Sequence, residues 1–126
     1  MVTSRGSDPG RPLPFHLRAG RAAEDEACRF LTAQGLRILE RNFRVRGGEI
    51  DIIALDGGAL VFCEVRLRSR GDFGGALESI DRRKQARLAH AASCYLQRFP
   101  LPPPCRLDAL CASRRDPWEW LWIRGL

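Results

Sequence analysis

The 126 residues carry a formal net charge of +6, with 44% hydrophobic and 29% charged side chains, the balance of one soluble globular domain with a real core. No apolar run is long enough to cross a bilayer, and no apolar signal core follows Met1, which argues against membrane insertion or export and makes the cytoplasm the expected location. The basic surplus and a pI near 9.7 favour an anionic partner, nucleic acid being the commonest.

Of the 21 basic residues, 20 are arginine, and Lys84 is the sole lysine. Five cysteines form no CxxC pair and no zinc-like spacing with His16 or His90, so they read as small core thiols rather than a disulfide or metal framework. In chain order, residues 1–14 lack periodicity and read as a disordered leader; residues 15–126 read as a single domain. A helix is expected from Phe15 to Gln34, with Ala23, Ala27, Phe30 and Leu31 at helical spacing and Gly35 closing it. Glu24 falls on or beside that apolar stripe, where its local partners are Arg21 or Arg29. Residues 36–46 alternate loosely and predict a first strand.

The stretch from Gly47 to Arg68 organises the rest. Two apolar runs flank Asp56-Gly57-Gly58, strong hairpin punctuation. Strand alternation places Glu49, Asp51 and Ile53 on one face and Ile50, Ile52 and Ala54 on the other. On the second arm Leu60, Phe62, Glu64 and Arg66 oppose Val61, Cys63, Val65 and Leu67. The hairpin thereby gathers Asp51 and Glu64, with Glu49 nearby, beside a cation at Arg66. Carboxylates among Ile, Val and Phe are costly unless something positive pairs with them, and a metal ion and the nearby arginines are both candidates.

A loop rich in glycine and charge follows from Arg68 to Gly75. A second helix is expected from about Ser79 to Arg98, with Ser79 or Asp81 at its start and Ile80, Leu88, Ala91, Ala92, Tyr95 and Leu96 as its buried stripe. Lys84 and Gln85 lie in its first turns on the side of Leu88. The proline-rich segment after Phe99 ends it. Cys105–Ala112 reads as a half-buried strand, and Trp118–Ile123 as a closing strand whose tryptophans pack an edge. The order is α-β-β-β-α-β-β, an α/β chain with a mixed sheet, the second helix serving as a crossover.

Glu24 in the first helix, Asp51 in the second strand and Glu64-Val65-Arg66 in the third resemble the PD-(D/E)XK nuclease superfamily. More closely, the chain resembles the YraN-like family of bacterial proteins, described as predicted endonucleases distantly similar to archaeal Holliday-junction resolvases. The resemblance rests on residues 20–24, Asn42, residues 47–51, residues 61–66, residues 74–76, Lys84-Gln85 and residues 106–108. It implies a restriction-endonuclease-like fold and phosphodiester hydrolysis on nucleic acid, DNA in the first place and branched DNA among the candidates. It further implies Mg²⁺ or Mn²⁺ held by Asp51, Glu64 and the Val65 carbonyl, with Glu24 holding a metal-bound water or second site. Lys84 and Gln85 would support the phosphate, and Arg68, Arg70, Lys84 and Arg106 would contact nucleic acid. Resolvases act as two-fold dimers, so a homodimer fits.

The chain departs from the superfamily where a lysine normally follows the glutamate by two residues: that position is Arg66. A guanidinium stays protonated and cannot accept a proton from water, though it can stabilise charge and orient a nucleophile. The alternative to an active nuclease is therefore a nucleic-acid-binding module of the same fold that has lost its chemistry. A third reading pairs the carboxylates with Arg66, Arg68 or Arg106 in a protein-interaction scaffold.

Overall fold

The computed structural model describes residues 15–67, 81–114 and 116–126. The expected leader, the loop with Arg68 and Arg70, and Ser79 and Ile80 lie outside them. The elements are α1 (Phe15–Ala33), β1 (Arg37–Val45), β2 (Gly48–Asp56), β3 (Ala59–Leu67), α2 (Arg82–Leu96), β4 (Cys105–Arg114) and β5 (Glu119–Arg124). The strands form one sheet in the order β1-β2-β3-β4-β5. Only β3 and β4 run parallel, joined through α2, and the other neighbours are antiparallel. This is the mixed α/β architecture that the resemblance implies. None of the described helices is long and apolar enough to cross a membrane.

The two helices cover opposite faces of the sheet. Ala27 and Leu31 of α1 pack with Ile52, Ala54, Val61, Cys63 and Leu110. On the other face Leu88, Ala91 and Tyr95 of α2 pack with Ile50, Ile53, Leu60 and Phe62. Each large side chain so buried contributes roughly 1.5–3 kcal/mol before the entropy of ordering it is counted. Gly35, at a φ of +95°, ends α1 as the sequence predicts, while the Leu36 N–H returns to the Leu31 carbonyl at 3.0 Å; glycine adopts this left-handed step without a Cβ penalty. Asp81 caps α2, its carboxylate accepting from the Lys84 N–H at 2.9 Å.

The β2 faces depart from simple alternation. Ile52 lies on the α1 side and Ile50 on the α2 side, although both were expected on one face. β1 changes sides at the same level: Arg41 reaches Asp25 of α1, while Phe43 packs edge-on against Tyr95 of α2. The cause is Asn42, which has a φ of +54°. Arg41 pairs with Ile52 and Phe43 with Ile50, so Asn42 stands at the level of Asp51. Asparagine is among the few side chains that tolerate a left-handed step. That step rotates both strands, and the alternation restarts on the opposite face.

Strand β4 is also more deeply set than expected. Ala109, Leu110, Cys111 and Ala112 are all buried, and so is Asp108; the strand lies between β3 and β5, paired on both edges. The cysteines divide accordingly: Cys63 and Cys111 are buried, Cys28 and Cys94 are half-buried, and Cys105 is exposed, so only two are full core thiols. Trp120 and Trp122 pack around Phe30, with Trp118 stacked on Trp120, the edge packing anticipated for them.

α2 meets the sheet most closely at Gly48. A Cβ built there would lie 2.3 Å from the Arg87 carbonyl oxygen and 3.1 Å from the Ala91 nitrogen. Backbone cannot swing aside as a side chain can. Gly48→Ala is therefore expected to push α2 off the sheet and to lower stability by about 2 kcal/mol. Urea unfolding measures it, and an unchanged midpoint would refute the close approach.

Candidate functional site

The site is created where the sheet forks. β2 and β3 pair from Asp56↔Ala59 up to Ile52↔Cys63. Beyond that level β2 continues only with β1, and β3 continues with β4 from Glu64↔Ala109 to Leu67↔Ala112. The next pair in register would be Asp51 and Glu64, so the two carboxylates expected to work together stand at the opening of the fork. Asp51 takes over one missing ladder bond: its Oδ2 accepts the Val65 N–H at 2.8 Å.

Asp51 is in an adverse environment. Burial, chiefly, pushes its carboxyl from an ordinary value of 3.8 up to about 7; the Val65 N–H pulls the other way, and the charges of Glu24, Glu64 and Glu49 push further up. Among the described residues no arginine or lysine forms an ion pair with it. Glu64 is better compensated. Burial raises its carboxyl as well, but Arg66 and Lys84 act against the shift. The Arg66 guanidinium lies 3.3 Å from Glu64 Oε2.

The remaining expected residues divide into those brought to the fork and those held elsewhere. Glu24 reaches the field of Asp51 from α1, and its ion-pair partner is Arg41 of β1 at 3.5 Å, not the local Arg21 or Arg29; Arg29 pairs with Glu26. Lys84 enters the field of Glu64 from α2, and Gln85 follows it in the same turn, both half-buried. Arg106 is placed apart from the fork. Its Nε lies 3.1 Å from each oxygen of Asp108, and its Nη2 lies 2.9 Å from Asp56 Oδ2. It sits opposite Val61, near the hairpin turn and three register positions from Glu64.

Two participants were not foreseen in their roles. Arg41 holds Asp25 at 2.9 Å as well as Glu24, tying the acidic face of α1 to β1. Its one signal in the sequence was the adjoining Asn42, whose left-handed step turns Arg41 toward α1. Glu49 was expected near Asp51; it contributes to the field at both Asp51 and Glu64 while pairing with Arg44 at 3.5 Å.

The donor set can be tested against a metal. Among the described residues no three His, Cys, Asp or Glu side chains are grouped so as to hold a metal ion between them. A half-buried carboxylate in the field of three others, with one N–H acting against that field, is nevertheless the environment that a hard cation relieves. Mg²⁺ takes one or two carboxylates and keeps several waters, so a closed protein cage is not its requirement. Asp51 and Glu64 fit that demand.

Relatives extend over nearly the whole chain. A UPF0102 protein of Janthinobacterium sp. (strain Marseille) is 52% identical over 115 residues, which are 91% of each chain. One from Herminiimonas arsenicoxydans is 46% identical over 115 residues, 91% of this chain and 90% of its own. One from Pseudomonas putida (strain GB-1) is 51% identical over 116 residues, covering 87% and 94%. The family model described as "Uncharacterised protein family UPF0102" matches residues 23–112, a span that runs from Ala23, beside Glu24, through Asp51, Glu64, Lys84 and Asp108 to Ala112. By both measures the chain belongs to the UPF0102 (YraN) family.

Proposed function

We propose that this protein is a Mg²⁺- or Mn²⁺-dependent endonuclease acting on DNA, with branched DNA among its candidate substrates. The observation that carries the reading is Asp51: a carboxylate raised to about 7 in the field of Glu24, Glu64 and Glu49, at the fork where β2 and β3 part. Asp51 and Glu64 would hold the metal, joined by the Val65 carbonyl, and Glu24 would reach it through water. The cation would supply charge neutralisation at the phosphate and a more acidic bound water. Lys84 brings a positive charge to Glu64 from the α2 side. Arg66, half-buried beside Glu64, offers donors and fixed charge rather than a proton acceptor.

The test is cleavage of labelled four-way junction, flap, single-stranded and duplex DNA with Mg²⁺ or Mn²⁺, with Glu64→Gln alongside. Wild-type cleavage that stops on chelation and falls at least about a hundredfold in the variant is expected, equivalent to nearly 3 kcal/mol of lost transition-state stabilisation. Equal cleavage by both proteins would remove Glu64 from the chemistry.

The ion pair between Arg66 and Glu64 favours a second reading, a DNA-binding module without catalysis. That reading expects salt-sensitive binding which persists after chelation and in Glu64→Gln, with no cleavage by either protein.

A further inference from the structure

The charge around the fork is uneven. Helix α1 carries three arginines against Glu24, Asp25 and Glu26 and is neutral by itself, with Arg41 paired to Glu24 and Asp25 and Arg29 to Glu26. The α2 side is basic. Helix α2 contains no acidic residue along its sequence RRKQARLAHAASCYL, and Arg82, Arg83 and Lys84 occupy its first turn. Cations at a helix N-terminus oppose the helix dipole, so their placement is unfavourable for the helix itself.

Arg83, Arg87 and His90 follow one another at spacings of four and three, along one side of α2. That side abuts the turn between β1 and β2. The Arg87 carbonyl lies against Gly48, and the His90 ring nitrogen Nε2 is 3.0 Å from the Arg46 carbonyl. Arg46 meets this side of α2 through its backbone carbonyl, whereas Arg44 alternates with Phe43 and Val45, which pack toward α2, and so faces the other side of the sheet. Arg83, Arg87 and His90 are all exposed. At the inner margin of the ridge, Lys84 faces Glu64.

We propose that DNA enters the fork from the α2 side, with the phosphates of one strand laid along Arg83 and Arg87. This rests on the nuclease reading above and adds the path of the substrate to it. The neutral α1 side offers a polyanion no net attraction, while the ridge attracts it and delivers the backbone past Lys84 to Asp51 and Glu64. Arg106, engaged with Asp56 and Asp108, takes no part.

Fluorescence anisotropy of labelled duplex and four-way-junction DNA over a range of salt tests the path. The double variant Arg83→Gln/Arg87→Gln is compared with Arg29→Gln/Arg124→Gln, which removes the same charge away from the ridge. The ridge variant is expected to bind about tenfold more weakly and to show a log–log salt slope shallower by about 2, close to one released counterion per lost contact. The control is expected to stay within about twofold of wild type. Thermal melts verify that both variants fold. Equal losses in the two variants would reduce the effect to net charge and overturn the path. If the wild type binds and cuts DNA and the ridge variant does so equally well, the path fails while the nuclease reading stands. If the wild type binds no DNA at low salt, both fail.

Discussion

Asp51→Asn should abolish cleavage while making the protein harder to unfold at neutral and alkaline pH. The folded state raises the Asp51 carboxyl from 3.8 to about 7, so folding favours the protonated form and the ionised form is a liability. That liability is complete above the folded value. It shrinks as pH falls through about 7 toward 3.8, and it is gone below the unfolded value. The shift is equivalent to about 4 kcal/mol at most, and about 2 kcal/mol remains a large effect after relaxation and solvent access. Asparagine retains an oxygen for the Val65 N–H and carries no charge. Urea unfolding of both proteins near pH 8 and near pH 5 should show the variant ahead at the higher pH and the gap closing at the lower. Mg²⁺ should close the gap from the other direction, stabilising the wild type and leaving the variant unmoved. A variant less stable than wild type at high pH would show that Asp51 is held comfortably, and the case for a cation site would go with it.

Asp108→Ala should produce a large effect of opposite sign. Asp108 is also a buried carboxylate on the same sheet, but it is saturated with donors. Arg106 Nε contacts both oxygens at 3.1 Å, the Trp122 indole N–H donates to Oδ2 at 3.0 Å, and the Gly125 N–H donates to Oδ1 at 3.0 Å. Truncation leaves the indole and the Gly125 amide without this acceptor and half-releases Arg106, whose other carboxylate is Asp56. The expected loss is about 3–5 kcal/mol, the usual consequence of breaking a buried ion pair on one side. Trp122 fluorescence during urea unfolding reports it, and hydrogen exchange should show β5 loosened first. Asp108→Asn should fall between, since an amide keeps one acceptor but turns an N–H toward Arg106 or its neighbours. A loss under about 1 kcal/mol would mean that β5 is held by packing alone.

Much of this arrangement was legible before any coordinates. The element order, the hairpin at Asp56-Gly57-Gly58, the glycine that closes α1 and the Asp81 cap follow from local chemistry that operates within a few residues. The juxtaposition of Asp51 and Glu64 follows from the hairpin register. The burial of Asp108 did not show, because β4 alternates like a half-exposed strand and only its central position buries both faces. The partner of Glu24 was also hidden: Arg41 is 17 residues away and reaches α1 only because β1 turns over. Arg106 looked available for phosphate because nothing local indicates that Asp56, 50 residues earlier, returns to meet it.

The turn-over at Asn42 has a further consequence for how the hairpin strands find each other. In a regular two-stranded ribbon, a slip in register exchanges the faces but leaves a ribbon that still pairs, so sliding is a route to misfolding. Here each arm carries its own reversal, and the two must coincide for Ile50 to reach Tyr95 while Ile52 reaches Leu31. A slipped pairing would bring the left-handed step opposite a residue whose neighbours have not turned, sending Phe43 or Ile50 to solvent. Asn42 thus works as a phase mark that only one alignment satisfies, and that alignment is the one that sets Asn42 across from Asp51.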